Sequence, residues 1–198
     1  EEGIVRNIPA FSRFFDAMSY SLGEIVNYSN IARDCGVDSK TVKEYYQILV
    51  DMLLGSFVEP YKKRQGRNVI LKAPKFYFFD IGVAGAISKS PVLEERGEFF
   101  GRALENLVFM ELTAYRSYRE RDFDISYWRT KTGLEVDFIL GDAQVAVEVK
   151  GASRVDHTEL KGLKGFMEEY GPKKAIVVSN EREARLVGDI RIMPWRDF

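Results

Sequence analysis

The 198 residues include a single cysteine, Cys35, and a single histidine, His157. One thiol permits no internal disulfide, and a zinc site built on the usual Cys/His spacing is excluded. A reducing, cytoplasmic setting is the expectation. Long apolar runs are also missing: the longest, Phe76 to Ile87, is broken by Asp80, and no basic-then-apolar leader opens the chain. Neither a membrane span nor a signal peptide is therefore predicted. The sequence contains no Gly-x4-Gly-Lys-Ser/Thr, no Gly-x-Gly-x-x-Gly and no Gly-x-Ser-x-Gly, so nucleotide hydrolysis and serine-hydrolase chemistry are not encoded. Net charge is scarce as well, with 29 basic against 30 acidic side chains, so any surface for nucleic acid has to be local. What is plentiful is apolar side chain, 45% hydrophobic and 13% aromatic, enough for one sizeable core or two small ones in a soluble globular protein. The opening Glu1-Glu2-Gly3, without methionine and running into an amphipathic pattern, suggests a piece of a longer chain.

Charge divides unevenly along the chain, about +2 over 1–90 and −3 over 91–198, and Ser90-Pro91 is a plausible join between two units. Apolar residues at 8, 11, 14, 15 and 18 predict a first helix, with 1–20 read as a linker helix. Ser29 is the expected cap of a short helix ending at Gly36, and Asp38 or Ser39 that of a longer one through Val42, Tyr45, Tyr46, Leu49, Met52 and Leu53. This is a helix-turn-helix arrangement. Strands over 57–61 and 68–71, joined by Lys62-Lys63-Arg64-Gln65-Gly66-Arg67, would add a wing, completing a winged helix over 21–90. Six basic and no acidic residues fall between 61 and 75. Lys62, Lys63, Arg64 and Arg67, with Lys40 and Lys43 on the second helix, are the candidate DNA contacts. A solvated hairpin tip or a protein-docking wing fits the same residues, and Asp38, Glu44 and Asp51 argue against sequence-specific readout.

Beyond 91, a helix is predicted at about 98–118, with apolar residues around most of its circumference and Glu105 and Glu111 interrupting them. Strands follow at 125–129, 134–140 and 144–150, then a helix at 158–170 and strands at 174–178 and 190–193. The order predicts an α/β (α+β) domain over 91–198 with a mixed sheet flanked by helices. Within 134–140 and 144–150, apolar residues alternate with Glu135, Asp137, Glu148 and Lys150, giving each strand an apolar and a charged face. A two-residue turn at Asp142-Ala143 would set Asp137 opposite Glu148 and Glu135 opposite Lys150. Cβ atoms of opposed residues lie about 4.5–5.5 Å apart, which is unfavourable for like charges unless a cation intervenes. Mg²⁺ or Mn²⁺ would fill that role, held by Asp137 and Glu148 with Glu105 or Glu111 as a third carboxylate. Lys150 would orient or deprotonate the attacking water, or offset charge on the phosphate. The plain alternative is a surface Glu135–Lys150 pair on an ordinary amphipathic sheet.

Asp137 followed by Glu148-x-Lys150 on the next strand, with a helical glutamate before them, resembles the PD-(D/E)XK restriction-endonuclease-like superfamily, particularly its Holliday-junction-resolvase branch. Pro74-Lys75-Phe76-Tyr77-Phe78-Phe79-Asp80-Ile81-Gly82, Gly101-Arg102-Ala103-Leu104-Glu105-Asn106, Tyr127-Trp128-Arg129-Thr130 and Glu135-Val136-Asp137-Phe138 resemble the C-terminal region of prokaryotic AAA-type P-loop ATPases. There a winged helix and a nuclease-like domain follow the ATPase. The resemblance implies an upstream ATPase domain in the full-length chain and DNA as partner. It also implies Asp137, Glu148 and Lys150 as the nuclease-like site, with Glu105 as the helical ligand. The usual Pro-Asp opening is absent, Val136 standing before Asp137. The rival expectation is a catalytically inactive module that binds DNA or protein and regulates the ATPase; assembly of several copies is compatible with either. Trp128 and Trp195 are expected to pack rather than stack on bases, Cys35 to be a small buried side chain, and His157 to be incidental.

Overall fold

Capping explains where the first helices begin. In the computed structural model, which describes residues 7–19, 23–62, 73–88 and 94–198, α1 spans Ile8–Ser19, α2 Tyr28–Cys35 and α3 Ser39–Asp51. The side chain of Asn27, not Ser29, caps α2, its Oδ1 accepting the Asn30 N–H at 3.0 Å. Asp38 caps α3 by accepting the Thr41 N–H at 2.7 Å. Gly36 ends α2 in the left-handed region at φ +68°, which a side chain disfavours. β1 follows at Gly55–Pro60, then β2 at Lys75–Phe78 and α4 at Ile81–Ser88.

Two compact units result, one from 1–57 and 73–91, the other from 58–72 and 92–198. In the first, Ala10, Phe14 and Met18 of α1 join Ile31, Cys35, Val42, Tyr45, Tyr46 and Leu49 in one core, closed by Phe76 and Phe78 of β2. Phe14, Tyr46 and Phe76 meet edge to face at 4.9–5.0 Å. Gly55 is obligatory there: a Cβ would come within 2.5 Å of the Tyr77 carbonyl oxygen. β2 overlaps the start of the apolar run at 76–87, which shows no alternation to mark a strand. Its Lys75, one of the six basic residues of 61–75, is 2% exposed, so it offers no surface charge. The second wing strand at 68–71 and the tip residues Lys63, Arg64 and Arg67 lie outside the described residues.

The second unit holds α5 (Gly97–Tyr118), β3 (Ile125–Arg129), β4 (Glu135–Leu140), β5 (Val145–Lys150), α6 (Lys161–Tyr170), β6 (Lys174–Ser179), β7 (Arg185–Val187) and β8 (Ile190–Pro194). Among the strands of this unit the order is β1-β3-β4-β5-β6-β8-β7, and β2 follows β1 on its other side. β1 is parallel to β3, β3-β4-β5 form an antiparallel meander, β5, β6 and β8 are parallel, and β7 closes antiparallel on β8. The architecture is therefore mixed α/β, as expected. α6 covers one face, where Leu163 and Phe166 pack with Trp128, Ile139, Ala146 and Val177. α5 covers the other, Phe109 stacking on Phe138 at 6.2 Å, since adjacent strand residues point to opposite faces. The apolar surround expected of α5 is only partly buried: Phe100, Leu104, Val108 and Leu112 are inside, whereas Phe99, Tyr115 and Tyr118 are exposed. Among the described residues, no helix is long and apolar enough to cross a membrane.

Candidate active site

The β4–β5 hairpin sets the site. Leu140 pairs with Val145, Ile139 with Ala146 and Phe138 with Val147, which is the register the sequence implied. The turn is longer than expected, with Gly141 and Ala143 at positive φ and Gln144 N–H donating to Leu140 O at 3.1 Å. One residue was added on each side, so the register did not change. Beyond Phe138 the Asp137 carboxylate reaches across, its Oδ2 accepting the Val149 N–H at 2.8 Å.

The charged residues are not solvated. Asp137 is 8% and Glu148 4% exposed, in strands that α6 covers on one face and α5 on the other. Gly162 permits that cover: a Cβ there would overlap the Glu135 carbonyl oxygen and lie 3.1 Å from the Glu135 nitrogen and carbonyl carbon. Lys150 Nζ donates to Glu148 Oε1 at 2.6 Å. The plain pairing of Glu135 with Lys150 is replaced by a Glu135–Arg129 ion pair at 3.1 Å.

Burial raises the Glu148 pKa well above the carboxylate range, and the Asp137 and Glu105 charges add to this against the opposing pull of Lys150. For Lys150, burial works to lower the ammonium's pKa, but Glu148 and Asp137 outweigh it and the net shift is upward. Among the described residues Glu148 Oε2 has no hydrogen-bond partner, though it is buried, a costly state for a carboxylate oxygen. An orphaned oxygen beside a second buried carboxylate fits Mg²⁺ or Mn²⁺, because such hard ions take one or two carboxylates and keep several waters. Among the described residues, no three His, Cys, Asp or Glu side chains are grouped to hold a metal ion. Glu105, half-buried on α5, therefore acts on Glu148 through its charge and is not brought into a three-carboxylate cluster. Glu111, the other helical candidate, is exposed.

The remaining predicted residues are dispersed. Lys40 and Lys43 are exposed on α3, Lys40 lying 4.0 Å from Glu44 and Lys43 over the Tyr28 ring at 5.3 Å. Lys62 is exposed in the second unit. Trp128 packs on Phe166 at 5.4 Å, His157 is exposed at the start of a 3-10 turn, and Cys35 is buried. Sequence reasoning missed Glu159, whose charge acts on Lys150 while its side chain accepts the Asp156 N–H at 2.7 Å. It also missed Glu181 and Arg185, which tie down the loop after β5. Asp156 and Glu159 form a capping box, a three-residue spacing that was legible in principle.

Fold and site together define a mixed α/β domain in which a buried Asp–Glu pair meets a half-buried lysine at the end of a β-hairpin. Residues 100–198 match the family described as Domain of unknown function (DUF4143), and the chain belongs to that family. Residues 1–93 match Domain of unknown function (DUF8612). No curated protein and no solved structure matches the chain.

Proposed function

We propose that the chain is the C-terminal region of an AAA-type ATPase, and that its second unit binds DNA and hydrolyses phosphodiester bonds with Mg²⁺ or Mn²⁺. The observation that carries this reading is the buried Glu148 Oε2, which has no hydrogen-bond partner among the described residues and lies in one cluster with Asp137 and Lys150. Glu148 and Asp137 would hold the ion, with Glu105 adding negative charge from α5. When bound, the ion supplies a Lewis acid for the phosphoryl oxygens and lowers the pKa of a coordinated water. The protein's own part is positional. Asp137 is fixed by the Val149 N–H, so its carboxylate cannot swing away as charge changes. Lys150, held on Glu148, keeps a full positive charge at the hairpin end, where negative charge develops as water adds to phosphorus and the bond to the leaving oxygen breaks. Burial excludes bulk water and strengthens both effects.

The lack of a third grouped carboxylate among the described residues favours a second reading, a non-catalytic module that uses the same fold to hold DNA or a protein. Calorimetric titration with Mn²⁺, alongside incubation of the protein with branched, single-stranded and supercoiled DNA, separates the two. The catalytic reading expects metal binding and strand cleavage in wild type and loss of both in Asp137→Ala and Glu148→Gln. If wild type and Asp137→Ala behave alike, that reading is lost.

A further inference from the structure

The parallel strands β5, β6 and β8 end at one level: Lys150 pairs with Ser179 and Ser179 with Pro194. The segments leaving those three ends wall an open groove of about 900 Å³, lined by Ser153 and Arg154 after β5, 180–185 after β6, and Pro194, Arg196 and Asp197 at and after the end of β8, with Glu95 beside them. Crevices at the carboxyl ends of parallel strands are where open α/β sheets take ligands. The groove begins within a few residues of Lys150, so a chain of phosphates passing the cluster would be carried toward it.

The walls are held rigidly. The buried Glu181 carboxylate accepts the Val155 N–H at 2.7 Å and two Arg185 N–H groups at 2.7 and 2.8 Å. Arg185 in turn donates to Val155 O at 2.9 Å, and Asn180 N–H donates to Ala152 O at 3.2 Å. The loop after β5 is thus clasped to the loop after β6 through both polar groups of one peptide residue.

Charge in the groove sorts into used and unused. Arg185 is spent on Glu181, and Arg196 is held by both oxygens of Glu95 at 2.7 Å while stacking on Trp195 at 4.4 Å. Among the described residues, Arg154 and Arg182 are exposed with no hydrogen-bonded or ion-paired partner. Glu183 and Asp197 line the same groove and balance the formal charge of these two arginines, so any attraction for anions is local to the guanidinium groups. Exposed guanidinium forks on rigid loops match phosphate geometry, which two oxygens can satisfy at once.

We propose that this groove is a subsite for the sugar-phosphate backbone of a nucleic-acid strand, with Arg154 and Arg182 taking its phosphates. It rests on the reading of the Asp137–Glu148–Lys150 cluster as a phosphodiester site, and its test is independent of that cluster's chemistry. The test measures binding of a fluorescein-labelled single strand of about 20 nucleotides to the whole chain by anisotropy, in EDTA. Each phosphate of a single strand neutralised by an arginine steepens the log–log salt dependence by about 0.7, so removing both arginines makes the loss of affinity in Arg154→Ala/Arg182→Ala about sevenfold larger at about 50 mM salt than at about 200 mM. Glu183→Gln is expected to tighten binding at low salt. Neither arginine has a hydrogen-bonded partner among the described residues, and Arg154 acts on Glu181 through its charge as the least of the causes there, so the double variant should stay close to the wild-type melting temperature. A wild-type salt slope in the double variant overturns the proposal, and so does displacement of the strand by polyglutamate as effectively as by unlabelled DNA. Mn²⁺ calorimetry on the same double variant stays at wild-type values if the cluster's reading is right, so either idea can fail alone.

Discussion

Gly162 and Gly165 sit three residues apart on α6 and face the same sheet, and they should respond to alanine in opposite directions. Replacing a helix-interior glycine by alanine gains about 1 kcal/mol from propensity, in full at Gly165 and less at Gly162, the second residue of α6. At Gly165 the new methyl would press on Leu134 Cδ1, at 3.2 Å, the far end of a side chain that can turn away. At Gly162 it would overlap main chain, the carbonyl oxygen of Glu135, and nothing there can rotate. Relief requires α6 to lift from β4, and overpacking of this kind costs about 1–3 kcal/mol, with main-chain clashes at the upper end. Gly162→Ala should therefore lose about 2 kcal/mol while Gly165→Ala stays neutral or gains, a separation of about 2–3 kcal/mol. Urea unfolding followed by Trp128 fluorescence reads the packing directly, because the indole lies on Phe166 of α6; a Trp195→Phe background removes the only other tryptophan. With a slope of about 2 kcal/mol per molar urea, the midpoints should differ by about 1 M or more. Equal midpoints for the two variants would refute the backbone-to-backbone packing of α6 on β4. Gly162→Ala should also weaken any Mn²⁺ binding, since Glu135 lies two residues from Asp137 on the same strand.

Arg185→Ala strips Glu181 of its charged partner and should cost about 2 kcal/mol, measurable as a shift in urea midpoint. The pH dependence has two arms of opposite sign. Hydrogen bonds from Arg185 hold the Glu181 pKa below its ordinary 4.5, so its contribution is present above that value and lost as pH falls through the depressed one. Glu181→Gln should flatten the acid limb of a stability–pH curve, and an unchanged limb would count against the clasp. Glu148 titrates the other way: its folded value is raised by burial, so stability falls as pH rises from about 4.5 toward that value. Glu148→Gln should remove this slope in metal-free protein, and a slope that survives would mean that the carboxylate is better solvated than its surroundings indicate.

Local rules carried much of the organisation. The hairpin register followed from the symmetry of Leu140 and Val145 about the turn, and an error of two in turn length left the pairing of 138–140 with 145–147 unchanged because it was shared equally; Asp137 lies just beyond those pairs and bonds the Val149 N–H. Asp38 capped its helix as read, whereas Asn27 displaced Ser29, since two eligible caps two residues apart differ only in where the following helix packs. Burial of the charged face was not legible. Alternation in β4 and β5 reports only that two faces differ, and the cover over these strands comes from α5 and from α6, whose glycines read as weak helix formers until the strand they touch is known. Glu135 went to Arg129 rather than Lys150 because Lys150 found a nearer carboxylate on its own strand. β7 has three residues, too few for a period to show, and Glu181 and Arg185 lie on and beside it with no pattern to mark them.

The β1–β3 pairing has a kinetic consequence. It joins Glu59 to Ser126, 67 positions apart, whereas the β4–β5 hairpin joins Leu140 to Val145, only five apart. Closing the longer loop costs about 2 kcal/mol more in chain entropy, so the hairpin that carries Asp137 and Glu148 can assemble early and the β1–β3 pairing must wait for the meander to form. The same ordering run backward makes the β1–β3 pairing open before the hairpin. The hairpin with its two buried carboxylates would then outlast that pairing, and amide exchange at Tyr61, whose N–H bonds Tyr127 O, should run ahead of exchange at Val149.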